Sequence, residues 1–246
     1  MKERKVNEFF DIKRMPKQEG ILLFAISLSR IGNAQSAKNC FEQMKTFISK
    51  ITYPVVGLNI IYGDNLYLYS NEKASKLKNK HQTLINSHKF EFKNLLTKNP
   101  RYIPDSFSFT TWNQTILESR EFMTLFGELK KIYAKDKKFQ EYVEADIKSS
   151  NKKIDDNSVS FILEESLLFY LITKGKVKLC NDYIKNREKW ILYCYPGKPL
   201  KSEIYLYQQN FFKLRNPKNI FENCFYDLEN KKLYDYDNVD LDKIKL

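Results

Sequence analysis

Three short apolar runs frame this chain. Ile21-Leu22-Leu23-Phe24-Ala25-Ile26 follows Gly20 and ends on Ser27; Val55 to Tyr62 is closed by Gly63-Asp64; Trp190 to Tyr195 ends on Pro196. Each is short, apolar and bounded by turn residues, which predicts buried strands. Between the first two, Ala37, Cys40, Phe41, Met44, Phe47, Ile48 and Ile51 recur at helical spacing, with Asn33 or Ser36 as the start and Pro54 as the stop. Such a strand–helix–strand unit has about the length a right-handed parallel crossover needs. A long helical segment follows, from about Asn71 to Lys98, ended by Asn99-Pro100. Tyr102 to Phe109 reads as an irregular strand, with helices near Trp112–Ala134 and Asp136–Ser150. After a polar break, Asn157 or Ser158 caps an apolar helix that runs to about Thr173 and carries Glu164 and Glu165. Lys176 to Cys180 reads as a weaker strand, Glu203 to Leu214 as helix or strand, and Phe225 to Tyr236 as a hairpin across Glu229-Asn230-Lys231.

Alternating strands and helices predict an α/β fold, a mostly parallel sheet with helices on both faces. Ligands in such folds bind outside the carboxyl ends of the strands. Ser27 and Tyr195 emerge at one such edge if their strands are parallel neighbours, and the apolar helix between them brings Glu165 there. The 246 residues fit a single domain, with a core at about 20–215, a polar extension over 1–19 and a C-terminal extension over 216–246.

Charge adds a partner class. The formal net charge of +12 favours an anionic partner, with nucleic acid first, though a Lys-rich surface that only keeps the chain soluble fits as well. The segment 71–98 concentrates Lys73, Lys76, Lys78, Lys80, Lys89, Lys93 and Lys98 against Glu72 and Glu91 alone. A one-sided lysine stripe holds a phosphate backbone without reading bases; a solvated helix face is the plainer alternative.

Other chemistries lack their residues. No Gly-x-Gly-x-x-Gly and no phosphate loop is present, so no bound dinucleotide or ATP is indicated. Lys73-Ala74-Ser75-Lys76 and Arg30-Ile31-Gly32-Asn33 are poor echoes of synthetase signature motifs, and both read as coincidence. No Gly-x-Ser-x-Gly elbow exists, and both histidines, His81 and His88, sit on the basic helix, against a Ser-His-Asp triad. Four widely spaced cysteines argue against disulfides or zinc, so buried reduced thiols, no metal and no cofactor are expected. No apolar run has membrane-spanning length and no signal peptide is evident, so the expected location is cytoplasmic.

The ordered segments Phe24-Ala25-Ile26-Ser27, Phe161-x-x-x-Glu165-Ser166-Leu167-Leu168-Phe169 and Cys194-Tyr195-Pro196 resemble the tRNA-dependent cyclodipeptide synthases. The Tyr-Pro strand end, with Arg30 where the other subfamily has asparagine, resembles the Tyr-Pro subfamily. The likeness runs from about residue 20 to 215 in order and spacing. It implies a Rossmann-like fold similar to class I aminoacyl-tRNA synthetase catalytic domains. It implies further that two aminoacyl-tRNAs are joined into a cyclic dipeptide by ping-pong acyl transfer, through aminoacyl- and dipeptidyl-serine intermediates. Ser27 would be the nucleophile, Glu165 would bind the substrate ammonium, Tyr195 would donate to the oxyanion or relay a proton, and the lysine helix would grip tRNA. Leu23, Ala25, Tyr62, Phe161, Tyr193 and Pro196 are expected pocket walls, and Glu164 the solvent-facing neighbour of Glu165. Phe161 stands where the family usually has tyrosine, and Ala25 where it has glycine. An RNA-binding protein without catalysis, or a serine acyltransferase or esterase acting on another ester, uses the same residue types.

Overall fold

The computed structural model describes residues 19–50, 55–64, 74–117, 119–173, 178–179, 182–183, 190–211 and 224–244. The elements in chain order are β1 (Gly20–Ile26), α1 (Ala37–Lys50), β2 (Val55–Tyr62), α2 (Ala74–Lys98), β3 (Ser106–Thr111), α3 (Phe122–Lys135), α4 (Lys137–Ser149), α5 (Asp156–Thr173), β4 (Lys178–Leu179), β5 (Asp182–Tyr183), β6 (Trp190–Tyr195), α6 (Lys201–Gln208), β7 (Cys224–Asp227) and β8 (Lys232–Asp235). None of the described helices is long and apolar enough to cross a membrane.

Six strands form one sheet in the order β3-β2-β1-β6-β7-β8, and β4 pairs with β5 apart from it. All neighbours in the large sheet are parallel except β7 and β8. The chain moves outward from β1 to β3, then crosses back to place β6 on the other side of β1. The register from Gly20 opposite Trp190 to Phe24 opposite Cys194 brings Ser27 and Tyr195 to one edge. That edge is the topological switch point, where α/β sheets open a crevice.

The period-two alternation of β1 and β2 feeds two cores. Leu22, Phe24, Ile26, Leu58, Ile60 and Tyr62 pack on Phe41 and Met44 of α1 and on Ile85 and Phe92 of α2. Leu23, Ile61, Ile191 and Tyr193 face Leu129 of α3, Val143 of α4, Leu163 of α5 and Ile204 of α6. The result is the expected three-layer α/β arrangement.

Several boundaries differ from the sequence reading for local reasons. Ser36 starts α1, its hydroxyl accepting from the amide of Asn39. Asp155, rather than Asn157 or Ser158, caps α5: its carboxylate accepts from the amide of Ser158, whose hydroxyl accepts from the amide of Asp155. The helix expected from Trp112 begins instead as a π-helical turn over Asn113–Leu117, with α3 starting only at Phe122. There Thr111 and Gln114 exchange side-chain to backbone bonds, which compete with regular helix. The C-terminal hairpin forms as expected and completes the sheet, because β7 lies parallel to β6.

Candidate active site

Outside the carboxyl ends of β1 and β6 lies a cavity of about 470 Å³ lined by Ser27, Ser29, Phe161, Glu165, Tyr193, Tyr195 and Pro196, among others. Its volume lies within the range of small-molecule sites. The cavity thus brings together all three expected catalytic side chains and three of the six expected walls. Leu23 and Ala25 belong to the core beneath it and do not line it. Tyr62 faces the other layer, fully buried, with its hydroxyl 2.8 Å from Nδ1 of His88, and is no wall of this cavity.

Ser27 sits half-buried just past β1, its Oγ 2.9 Å from the hydroxyl of Ser29. Its amide donates to Oε1 of the fully buried Gln35 at 2.7 Å, and Gln35 Nε2 donates to the carbonyl of Ala25 at 2.6 Å. One side chain therefore holds the strand end from both sides.

Helical geometry decides which of two adjacent acids reaches the cavity. Phe161 and Glu165 are four apart on α5, hence on one face, and both are half-buried at the cavity. Glu164 points about 100° away, into the core, where it is fully buried and accepts from the indole N–H of Trp112. The expectation that Glu164 meets solvent is corrected. Among the described side chains of α5, Ile162, Leu163, Leu167 and Leu171 are buried with Glu164, as its near-continuous apolar sequence demands, so Glu164 has no solvated face and Glu165 opens only on the cavity.

Burial pushes Glu165 up to about 7; the charge of Lys152 opposes that shift and Asp146 adds to it. Lys152 lies 3.7 Å from the ring centre of Phe161, a cation over an aromatic face. Burial likewise raises Glu203 to about 8, against a hydrogen bond of 2.8 Å from the Tyr236 hydroxyl. Asp146 is raised by burial to about 6, although it accepts from the amides of Lys201 and Ser202 and from the Ser202 hydroxyl. Asp146 thereby caps α6 from a different helix.

Tyr195 is held at the opposite wall. The Arg30 guanidinium lies 5.6 Å from its ring centre and donates to the carbonyl of Pro196 at 2.8 Å. The following turn needs Gly197, whose φ of 113° suits only glycine. Asp227 fixes that turn, accepting from the amides of Gly197, Glu229 and Asn230. The C-terminal hairpin thus shapes the rim, a role the sequence did not suggest.

The lysine stripe has a mixed fate. Lys73 and the side chains of Lys76 and Lys78 lie outside the described residues. Lys80, Lys93 and Lys98 are exposed on α2, and Lys89 is half-buried. Lys89 and Lys93 lie over the rings of Tyr62 and Phe109, at 5.5 and 5.6 Å. Ile85, His88, Phe92 and Leu96 form the buried face.

Sequence reasoning missed Ser29, Gln35, Asp146, Lys152 and Glu203. Asp146 carried a signal: it shares the buried face of α4 with Phe139, Tyr142 and Val143, where an acid needs partners. Gln35 carried none.

No protein-family model and no curated protein matches the sequence. Solved structures do match. A cyclodipeptide synthase from Staphylococcus haemolyticus superposes with a TM-score of 0.53 and 13% identity, over 84% of this chain and 91% of that one. A cyclodipeptide synthase from Fluoribacter dumoffii gives 0.52 and 16% over 84% and 89%, and a cyclo(L-leucyl-L-phenylalanyl) synthase gives 0.50 and 12% over 83% and 89%. At such identities the likeness establishes architecture, and the architecture this chain shares is that of the cyclodipeptide synthases.

Proposed function

We propose that this protein is an aminoacyltransferase, a cyclodipeptide synthase of the Tyr-Pro subfamily that uses two aminoacyl-tRNAs. The observation that carries this reading is the convergence of Ser27, Glu165 and Tyr195 on one cavity at the switch point, in a fold shared with such synthases.

Ser27 Oγ attacks the ester carbonyl of the first aminoacyl-tRNA. The serine proton ends on the leaving ribose oxygen, and an aminoacyl-serine remains. The amine of that serine-bound residue attacks the ester of the second aminoacyl-tRNA, releasing its tRNA and leaving a dipeptidyl-serine. The terminal amine then attacks the Ser27 ester, closes the six-membered ring and frees the serine. Both donors are activated esters, so no ATP is consumed, and the covalent intermediate divides the reaction into ping-pong steps. Confinement in one cavity supplies effective molarity for the cyclisation.

Glu165 holds the substrate ammonium and accepts its proton, with a pKa matched to neutral pH. Tyr195 donates to the developing oxyanion or relays the proton to the leaving oxygen. Phe161 offers shape but no hydrogen bond, which leaves the ammonium to Glu165. The lysines of α2 hold tRNA phosphates.

Expression in a bacterium with mass spectrometry of the medium tests the reading. Cyclic dipeptides absent from a Ser27→Ala strain are expected. tRNA binding without product, or tRNA-independent ester hydrolysis, points to the non-catalytic or esterase alternative.

A further inference from the structure

We propose that the groove at the corner between α3 and α4 is a second RNA-contact surface, which holds the backbone of the second aminoacyl-tRNA while its ester enters the cavity. This rests on the two-tRNA reaction above.

Asp136 alone joins the two helices, and the corner opens a groove of about 810 Å³ walled by Lys131, Lys135, Lys137 and Lys138 over Ile132 and Phe211. Lys131 and Lys135 are four apart on α3, so they share a face and repel. Lys137 and Lys138 occupy the first turn of α4, where the helix dipole disfavours cations. All four are exposed. Lys135, in the last turn of α3, complements that helix's dipole, and Lys138 has carboxylate and aromatic partners; Lys131 and Lys137 bring the fold no such return, and a docked polyanion would supply it.

Local carboxylates offset the charge of Lys138 but leave the other three lysines without an ion-pair partner among the described residues. Asp136 is engaged by the amide of Phe139 and the hydroxyl of Tyr205, each at 3.0 Å. Lys138 reaches Glu141 and Asp242 at 3.8 and 3.6 Å. Lys131, Lys135 and Lys137 form no salt bridge with any described residue, and Glu128 is the remaining acid on the wall. A basic rim over an aromatic floor fits single-stranded RNA, whose phosphates meet the lysines while a base stacks on Phe211.

Position supports the assignment. α4 runs from the groove at Lys137 to the cavity at Ser149, about 18 Å at 1.5 Å per residue. The lysines of α2 belong to the layer on the opposite face of the sheet. Two separate basic surfaces match a reaction that consumes two RNA-borne substrates.

The test separates the half-reactions. A Lys131→Glu, Lys135→Glu, Lys137→Glu variant is compared with wild type for the rate of aminoacyl-serine formation by intact mass. The isolated aminoacyl-enzyme is then mixed with subsaturating second aminoacyl-tRNA. The expected result is a first step within twofold of wild type and a second step slowed at least tenfold. An unaffected second step, or a first step slowed equally, overturns the proposal. Binding of uncharged tRNA is measured as well, in a Lys80→Glu, Lys93→Glu, Lys98→Glu background with and without the groove reversal. Residual affinity that the groove reversal leaves intact overturns the surface even if wild type forms no adduct, an outcome that would separately refute the synthase reading.

Discussion

Gln35 Oε1 accepts the amide of Ser27 at 2.7 Å, so a side chain nine residues after the end of β1 fixes the backbone of the proposed nucleophile. The backbone carbonyl of Gln35 lies 3.1 Å from Nε2 of His88 on α2, which ties this clamp to the lysine helix. His88 is neutral there, since burial lowers it to about 4. Gln35→Leu leaves the Ser27 amide and the Ala25 carbonyl unpaired, at a cost of about 1–3 kcal/mol in stability. Serine acylation is expected to slow roughly 10- to 100-fold, the range of a misplaced reacting group. The number of titratable sites and the affinity for tRNA should hold. Gln35→Glu keeps the acceptor for Ser27 and is expected to recover part of the rate. A loss of titratable sites instead of rate would reduce Gln35 to a purely structural part.

Glu164 and Glu165 are expected to separate function from stability. Glu165→Ala removes the group that meets the substrate amine, so product formation should fall at least 100-fold while Tm holds. Glu164→Ala leaves the Trp112 indole N–H without its buried partner. That costs about 1–3 kcal/mol, with product per folded molecule little changed. Product yield and thermal melts on both variants check this; reversed phenotypes would reassign the two acids.

Stability and activity should respond to pH in opposite directions. Glu164 and Glu165 are raised to about 7 and Glu203 to about 8, all by burial first. Folded pKa values above the unfolded ones mean that the native state holds protons more tightly. Stability contributed by these groups is full below the unfolded carboxylate range and is lost as pH rises toward about 8. Above about pH 6.5 the neutral His88 adds no opposing slope. Tm is therefore expected to fall from pH 6.5 to 8, and less steeply in Glu203→Gln. Serine-to-amine transfer needs ionised Glu165 and should rise through about pH 7, a limb that Glu165→Gln abolishes. A Tm that climbs over this window contradicts the assignment.

Arg30 is expected to act through Tyr195. Arg30→Ala removes the guanidinium from the tyrosine ring and the bond to the Pro196 carbonyl. The rate should drop several-fold, and by less when Tyr195→Phe has already removed the hydroxyl that Arg30 positions. A double-mutant cycle on the acylation rate checks this; strict additivity argues against the coupling.

The strands were legible because buried parallel strands are short, apolar and closed by turn residues, and Ser27 and Tyr195 mark two such closures. Glu165 was legible as an acid in an apolar helix and was chosen over Glu164 on the family resemblance, but placing Glu164 in the core rather than in solvent needed the true surroundings of α5. Periodicity assigns faces relative to each other, not to solvent. Tyr62 failed as a pocket wall for a related reason: a strand end sits at the site edge, yet alternation sends that side chain to the other layer. Gln35, Lys152 and Glu203 come from separate elements, and only the fold assembles them. The short rim segment Pro196-Gly197 is held by Asp227, some thirty residues later in the chain and silent in sequence.

The most direct measurement is the intact mass of purified protein mixed with charged tRNA and quenched within seconds. The account predicts a mass increase of one aminoacyl group, located on Ser27 by peptide mapping, absent from Ser27→Ala and discharged as cyclic dipeptide when more charged tRNA is added. An unmodified mass, or an adduct that persists in Ser27→Ala, contradicts it.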